Sequence, residues 1–160
     1  PNVKDEAGRT ALFDAALNGK LAVLEVLLQN GARVDETNSR GSTPLMAAAQ
    51  ENHVECLRAL LANAADCNAK NNNGATALLI AALNGSLEAL LILIENGSTI
   101  DDPDDKGSTP LMAAAQNNHV ECLRALLANG ADCNTRNNNG ATPLLIAALN
   151  GSLEALLILI

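Results

Sequence analysis

The segment Gly41-Ser42-Thr43-Pro44-Leu45 is one of five copies of a short phrase, Gly-x-Thr-Pro/Ala-Leu, that decides the fold of this 160-residue chain. The other copies begin at Gly8, Gly74, Gly107 and Gly140, so each lies 33 residues after the one before. A fixed period of this length is typical of a solenoid built from stacked units. We treat residues 1–160 as one domain and divide it into units 1 to 5, at 5–37, 38–70, 71–103, 104–136 and a partial unit at 137–160.

Each unit carries the signals for a short first helix that begins at the threonine of this phrase. Thr43, Thr109 and Thr142 can cap a helix N-terminus, and the proline after each lies where a helix has no amide hydrogen bond to lose. The helix ends at a turn that holds Gly in the odd units, such as Gly19, and Asn in the even units, such as Asn52. Because Gly and Asn tolerate a positive φ, we predict a left-handed residue that joins two helices.

The second helix of each unit is marked by leucines at helical spacing. In unit 2 it is predicted over residues 53–63, with Leu57 and Leu60 on its apolar side. A Gly such as Gly31 follows this helix in units 1, 3 and 4, whereas unit 2 has Ala64 in that place. A left-handed alanine there should cost about 1 kcal/mol relative to glycine, so we expect a weak point in unit 2.

The unit of Gly-x-Thr-Pro-Leu, Ala-Ala, a small turn, a Leu-rich stretch and Gly-Ala-Asp resembles the ankyrin repeat over essentially the whole chain. This resemblance implies an all-α solenoid of stacked helix-turn-helix units with hairpin-like loops. The chain departs from the family after Pro-Leu, where relatives commonly have His and this chain has Phe13, Met46, Leu79, Met112 and Leu145. We therefore expect an apolar first helix without the polar links between repeats that such a His makes.

Composition narrows the classes of function. The net charge is −8, and the ten basic residues are spread along the chain, so no footprint for nucleic acid or an anionic membrane is visible. Apolar runs such as residues 87–94 are far shorter than the roughly 20 residues that cross a bilayer, and no targeting signal is visible. We predict a cytoplasmic protein with a protein partner, no nucleic acid and no membrane.

A longer period of 66 residues lies over the first, because residues 38–94 and 104–160 differ at only eight positions. Recent duplication and deliberate construction both explain such copied pairs, and the sequence leaves the two open. The first five residues align with 67–71, the tail of a repeat, and the last helix stops at Ile160 without a polar cap. We predict an excerpt of a longer array that self-associates through this uncapped C-terminal helix.

Few residues offer chemistry beyond binding. His53 and Cys56 lie three apart, as do His119 and Cys122, a spacing that could ligate zinc. Their fixed places in the even units favour a structural role instead, so we predict reduced cysteines, no metal, no cofactor and no enzyme. The acidic run at residues 101–105 lacks the spacing of a calcium loop and is predicted to be a solvated loop tip.

The resemblance implies that a partner binds the concave side formed by loop tips and first helices. Carried over by position, the candidate residues are Arg9, Arg40, Ser42, Gln50, Lys70, Asn72, Asn73, Leu83, Lys106, Ser108, Gln116, Arg136, Asn138 and Asn139. With no Trp or Tyr available, Arg40 and Arg136 are the better anchors.

Two questions stay open from sequence alone. The first is whether the chain is a scaffold that uses its groove or a structural element that acts through array length and end-to-end stacking. The second concerns the groove, in which the even units contribute basic residues and Gln and the odd units contribute Asn and Leu. This alternation fits a partner with its own repeat, and it also fits duplication history without any selection for binding.

Overall fold

In a computed structural model, which describes residues 1–160, the chain forms ten α-helices and no strand. The units in turn contribute α1 (Ala11–Leu17) and α2 (Leu21–Gln29), α3 (Pro44–Gln50) and α4 (Val54–Ala62), α5 (Ala77–Asn84) and α6 (Leu87–Glu95), α7 (Pro110–Gln116) and α8 (Val120–Ala128), and α9 (Pro143–Asn150) and α10 (Leu153–Leu159). First helices pack on first helices and second helices on second helices, in chain order. The all-α solenoid predicted from the period is confirmed.

The helix starts follow the predicted capping chemistry. In all five units the threonine Oγ1 accepts a hydrogen bond from the amide three residues later, at 3.2 to 3.4 Å. These bonds satisfy one of the amides that a helix N-terminus leaves without a partner. One continuous core of alanine and leucine side chains then runs from Leu12 to Ala155. None of the helices is long enough and apolar enough to span a membrane.

The predicted left-handed positions are also confirmed. Asn52 and Asn118 have a φ of 55°, and Gly19 has a φ of 65° at the same place in unit 1. Ala64 follows the second helix of unit 2 with a φ of 63°, where Gly130 in unit 4 has 89°. The backbone of Ala64 therefore adopts the left-handed conformation, which L-residues other than Asn and Asp rarely adopt.

The interfaces between consecutive units, which we call joints, are of two kinds. In even-to-odd joints, from unit 2 to 3 and from unit 4 to 5, the turn asparagine of the even unit caps the second helix of the following odd unit. Asn52 Oδ1 accepts from the amide of Ala89 at 3.0 Å, and Asn118 Oδ1 accepts from Ala155 at 3.0 Å. In return, Ser86 Oγ donates to the carbonyl of Gln50 at 3.1 Å. Both bonds join the helix ends of neighbouring units.

In odd-to-even joints, a histidine ring packs against the turn glycine. A Cβ added at Gly19 would lie 2.7 Å from His53 Nδ1, and one at Gly85 would lie 2.6 Å from His119 Nδ1. His119 Nε2 also lies 3.1 Å from the carbonyl oxygen of Leu83. Asn also adopts the positive φ of this turn, so it is the room for the histidine ring that distinguishes glycine here.

These joints supply polar links between repeats at a different position from the one considered in the sequence. The links are made by Asn, Ser and His at the turn between the two helices of a unit. The position after Pro-Leu is apolar and buried, as at Met46 and Met112.

Most of the Asp side chains in the acidic run at residues 101–105 form hydrogen bonds or ion pairs within the chain. Asp101 accepts from the amide of Asp132, and the carboxylate of Asp102 lies 2.7 Å from Lys70 Nζ. Asp104 Oδ1 accepts from the amides of two following residues, at 2.9 and 2.8 Å. The predicted solvated loop tip therefore holds only for Asp105, which is exposed.

Candidate partner-binding groove

The hairpin tip of each unit is shaped by one Asp or Asn side chain. The Oδ1 atom of this residue accepts hydrogen bonds from the amides two and four residues later, at 2.8 to 3.0 Å. The residues are Asp5, Asn38, Asn71, Asp104 and Asn137. Sequence reasoning missed this feature, although its signal is simple: an Asp or Asn stands three residues before every Gly of the repeated phrase.

Neighbouring tips are tied to one another through their backbones. The carbonyl of Arg40 accepts from the amide of Asn72 at 3.0 Å, and the carbonyl of Lys106 accepts from Asn138 at 3.0 Å. A Cβ at Gly41 would lie 2.9 Å from the amide nitrogen of Asn72, so the tips approach too closely for a larger residue there. The five tips therefore form one continuous edge that presents fixed side chains.

Several of the predicted binding residues already have partners within the chain. Lys70 Nζ contacts Asp102 at 2.7 Å and donates to the carbonyl of Pro103 at 3.1 Å. Arg136 donates to the carbonyl of Gly140 at 2.9 Å. The side-chain amides of Asn72 and Asn138 donate to the carbonyls of Ser39 and Asp105 in the preceding tips, at 3.2 and 2.9 Å.

Arg9 is likewise engaged by two carboxylates. Its guanidinium lies 2.8 Å from Asp5 and 3.3 Å from Asp14. The backbone amide and the guanidinium of Arg9 both donate to Asp5, which holds the pKa of that carboxyl below its usual range. Arg9 is thus a half-buried cation whose charge is largely balanced.

The remaining candidates are available at the surface. Arg40 and Lys106 are exposed at equivalent places on their tips and form no ion pair. Ser42 and Ser108 lie half-buried beside them. The other exposed candidates lie on tips and at the ends of first helices, namely Asn73, Asn139, Gln50, Gln116 and Leu83.

The tips of units 1 and 2 and the first helices of units 1 to 3 enclose a depression of about 390 Å³. It brings together four predicted residues, Arg9, Arg40, Ser42 and Gln50, with apolar residues that the prediction omitted. Those are Phe13, Leu17, Met46, Ala47 and Ile80. A signal for Leu17 was present, because it is the counterpart in unit 1 of the predicted Leu83.

The chemistry of the groove is that of noncovalent recognition. Its residues supply guanidinium and ammonium groups, amide and hydroxyl hydrogen bonds, and aliphatic surface. No group of three His, Cys, Asp or Glu side chains that could hold a metal ion comes together anywhere in the chain. The two buried cysteines, Cys56 in α4 and Cys122 in α8, point into the core, and burial raises the pKa of Cys122 to about 11.

Comparison with known proteins identifies the repeat. A family model described as "Ankyrin repeats (3 copies)" matches residues 12–104 and again residues 78–160. A search of curated protein sequences finds no match to the chain.

Proposed function

Because the chain belongs to the ankyrin-repeat family, whose repeats generally mediate protein–protein interaction, we propose that it is a scaffold that holds a partner protein in its groove. The groove consists of the hairpin tips and the exposed sides of α1, α3, α5, α7 and α9. The observation that carries the proposal is the fixed edge of tips on which Arg40 and Lys106 stand exposed without ion pairs.

Electrostatics favours a partner that presents acidic groups to this edge. Although the chain carries a net charge of −8, Arg40 and Lys106 place two cations without ion pairs on this edge. A positive patch on the groove attracts negative groups and speeds their encounter. The family is typically non-enzymatic, and the absence of catalysis in this chain stays a prediction.

A displayed peptide library tests the groove before any partner is identified. We would select peptides on the wild-type chain and then measure their binding to the double variant Arg40→Glu/Lys106→Glu. Lys70 and Arg136 are left unchanged, because their charged groups already bind Asp102 and Gly140 within the chain. We expect the selected peptides to bind the double variant at least about tenfold more weakly.

A matched control keeps the charge change but moves it to the other side. Arg58→Glu/Arg124→Glu reverses two exposed charges on second helices, again at equivalent places in units 2 and 4. We expect this variant to bind the selected peptides as the wild type does. Equal loss in both double variants, or no loss in the groove variant, would contradict the groove proposal.

A further inference from the structure

We propose that the depression between units 1 and 2 binds a peptide segment in which an Asp or Glu stands beside a large aliphatic or aromatic side chain. This inference rests on the proposed function, because it names the kind of segment that the groove holds. The volume of about 390 Å³ lies near the lower end of ligand pockets, which measure about 300–1,000 Å³. It suits a few side chains of an extended segment.

The charge of the lining selects the acidic group. Of the twelve residues that line the depression, the only charged ones are Arg9 and Arg40, although the chain as a whole is acidic. Arg9 is balanced by Asp5 and Asp14, which leaves the exposed Arg40 as the cation without an ion pair. A guanidinium offers two parallel N–H donors that match a carboxylate.

The floor of the depression selects the apolar neighbour. Phe13 and Met46 form its buried base, and Leu17 and Ile80 stand half-buried at its sides. Covering the open surface of Leu17 and Ile80 with a large apolar side chain removes it from water, which is favourable in proportion to the area covered. The carboxylate and the apolar group must be neighbours, because Arg40 stands at the rim of the same depression.

The 66-residue copy of this place differs in the residues that matter. Units 3 and 4 have Ala75 in place of Arg9, Leu79 in place of Phe13 and Lys106 in place of Arg40. The copy therefore lacks both guanidiniums and the aromatic ring. Its cation, Lys106, presents no planar pair of donors, so the proposal places this site between units 1 and 2 only.

The test uses an array of hexapeptides in which Glu, Gln or Lys is followed by Leu, Phe or Ser. We expect the Glu-Leu and Glu-Phe peptides to bind wild-type chain about tenfold or more tightly than their Gln counterparts, as is usual for a hydrogen bond to a charged group. Arg40→Asn should abolish that preference for Glu. Asn is the residue of units 3 and 5 at this tip position, so the substitution is compatible with the fold.

Two further variants separate the parts of the site. Leu17→Gln introduces the residue that units 2 and 4 carry at the same place, and it should reduce the preference for Leu over Ser while leaving the preference for Glu. Arg58→Asn, the same change at an exposed arginine on the second helix of unit 2 and outside the groove, should leave both preferences intact. Circular dichroism confirms that each variant keeps the helix content of the wild type.

Three results would overturn the site. They are equal binding of Glu and Gln peptides, equal weakening by Arg40→Asn and Arg58→Asn, and no binding of any hexapeptide in the array. The proposed function fails separately. Library peptides that lose binding in Arg40→Glu/Lys106→Glu but show no acidic residue beside an apolar one would leave the scaffold standing and remove this site.

Discussion

Replacing Asn52 with Gly measures the energy of the polar link from this side chain to the next repeat. Gly occupies the same turn in the odd units with φ values of 65° to 72°, so the backbone of the variant can keep its conformation. Two hydrogen bonds are lost: the one from the amide of Ala89 to Oδ1, at 3.0 Å, and the one from Nδ2 to Glu88 Oε2, at 2.6 Å. Nothing else at the joint has to move.

The magnitude follows from the position of Ala89 in α6. Its amide is one of those that a helix N-terminus leaves without a partner. Ser86, at the N-cap, makes no side-chain cap bond, and its hydroxyl donates to the carbonyl of Gln50. Loss of an N-cap costs about 0.5–2 kcal/mol, and full burial of Ala89 places the expected loss at about 1–2 kcal/mol. The bond to the exposed Glu88 adds little.

Three measurements check this expectation. Urea unfolding should show a free energy of unfolding lower by about 1–2 kcal/mol, and hydrogen exchange should show reduced protection of the Ala89 amide. The bond from Asn52 lowers the pKa of Glu88, so an NMR titration should find that pKa nearer its usual range in the variant. Asn118→Gly removes the equivalent bond to Ala155 and should cost a similar amount.

Wild-type stability with unchanged exchange at Ala89 would refute the reasoning, because the cap would then contribute nothing. Asn52→Ala is the complementary variant. It loses the same bonds and also places an alanine in the left-handed region, which costs about 0.5–1 kcal/mol more than glycine. If Asn52→Ala and Asn52→Gly are equally stable, an alanine at this turn carries no cost from a positive φ, and the assigned backbone conformation is wrong.

Three other perturbations have defined outcomes. Ala64→Gly should raise the free energy of unfolding by about 0.5–1 kcal/mol in urea, and Gly130→Ala should lower it by as much, because a Cβ at Gly130 contacts nothing within 4 Å and only the backbone is strained. Partial burial raises the pKa of Asp35, so its charged form disfavours folding above the usual Asp range; thermal melts should show Asp35→Asn more stable than wild type at pH 7, with no gain at about pH 3. A thiol reagent at neutral pH should label the exposed Cys133 first and spare the buried Cys122 until unfolding, and equal labelling rates would contradict the burial of Cys122.

Sequence reasoning predicted what is decided within one unit. The threonine caps, the turn residues and the strained Ala64 depend on a few neighbouring residues and on φ preferences that belong to a residue type. The tip residue Asn38 is of the same local kind, since its side chain bonds the amides two and four residues later. It could have been predicted, because Asx residues are known to shape turns in this way.

What could not be predicted depends on two units at once. Lys70 stands in a hairpin and was assigned to the groove, but Asp102, which binds it, lies 32 residues away and belongs to the following unit. Asn72 was likewise assigned to the groove, but its side-chain amide donates to the carbonyl of Ser39 in the preceding tip. Repeat position tells which side a residue faces, and only the register between units tells whether a neighbour already occupies it.

The two kinds of joint give the 66-residue period a physical reason that needs neither a repeating partner nor an accident of copying. Two even units in succession would place an Asn turn against His53, where even a Cβ would lie 2.7 Å from the ring. Two odd units in succession would place a Gly turn before Ser86, and the amide of Ala89 would lose the oxygen that Asn52 supplies. Each unit type therefore packs better against the other type than against a copy of itself. The turns between helices favour alternation independently of any partner that the groove residues bind.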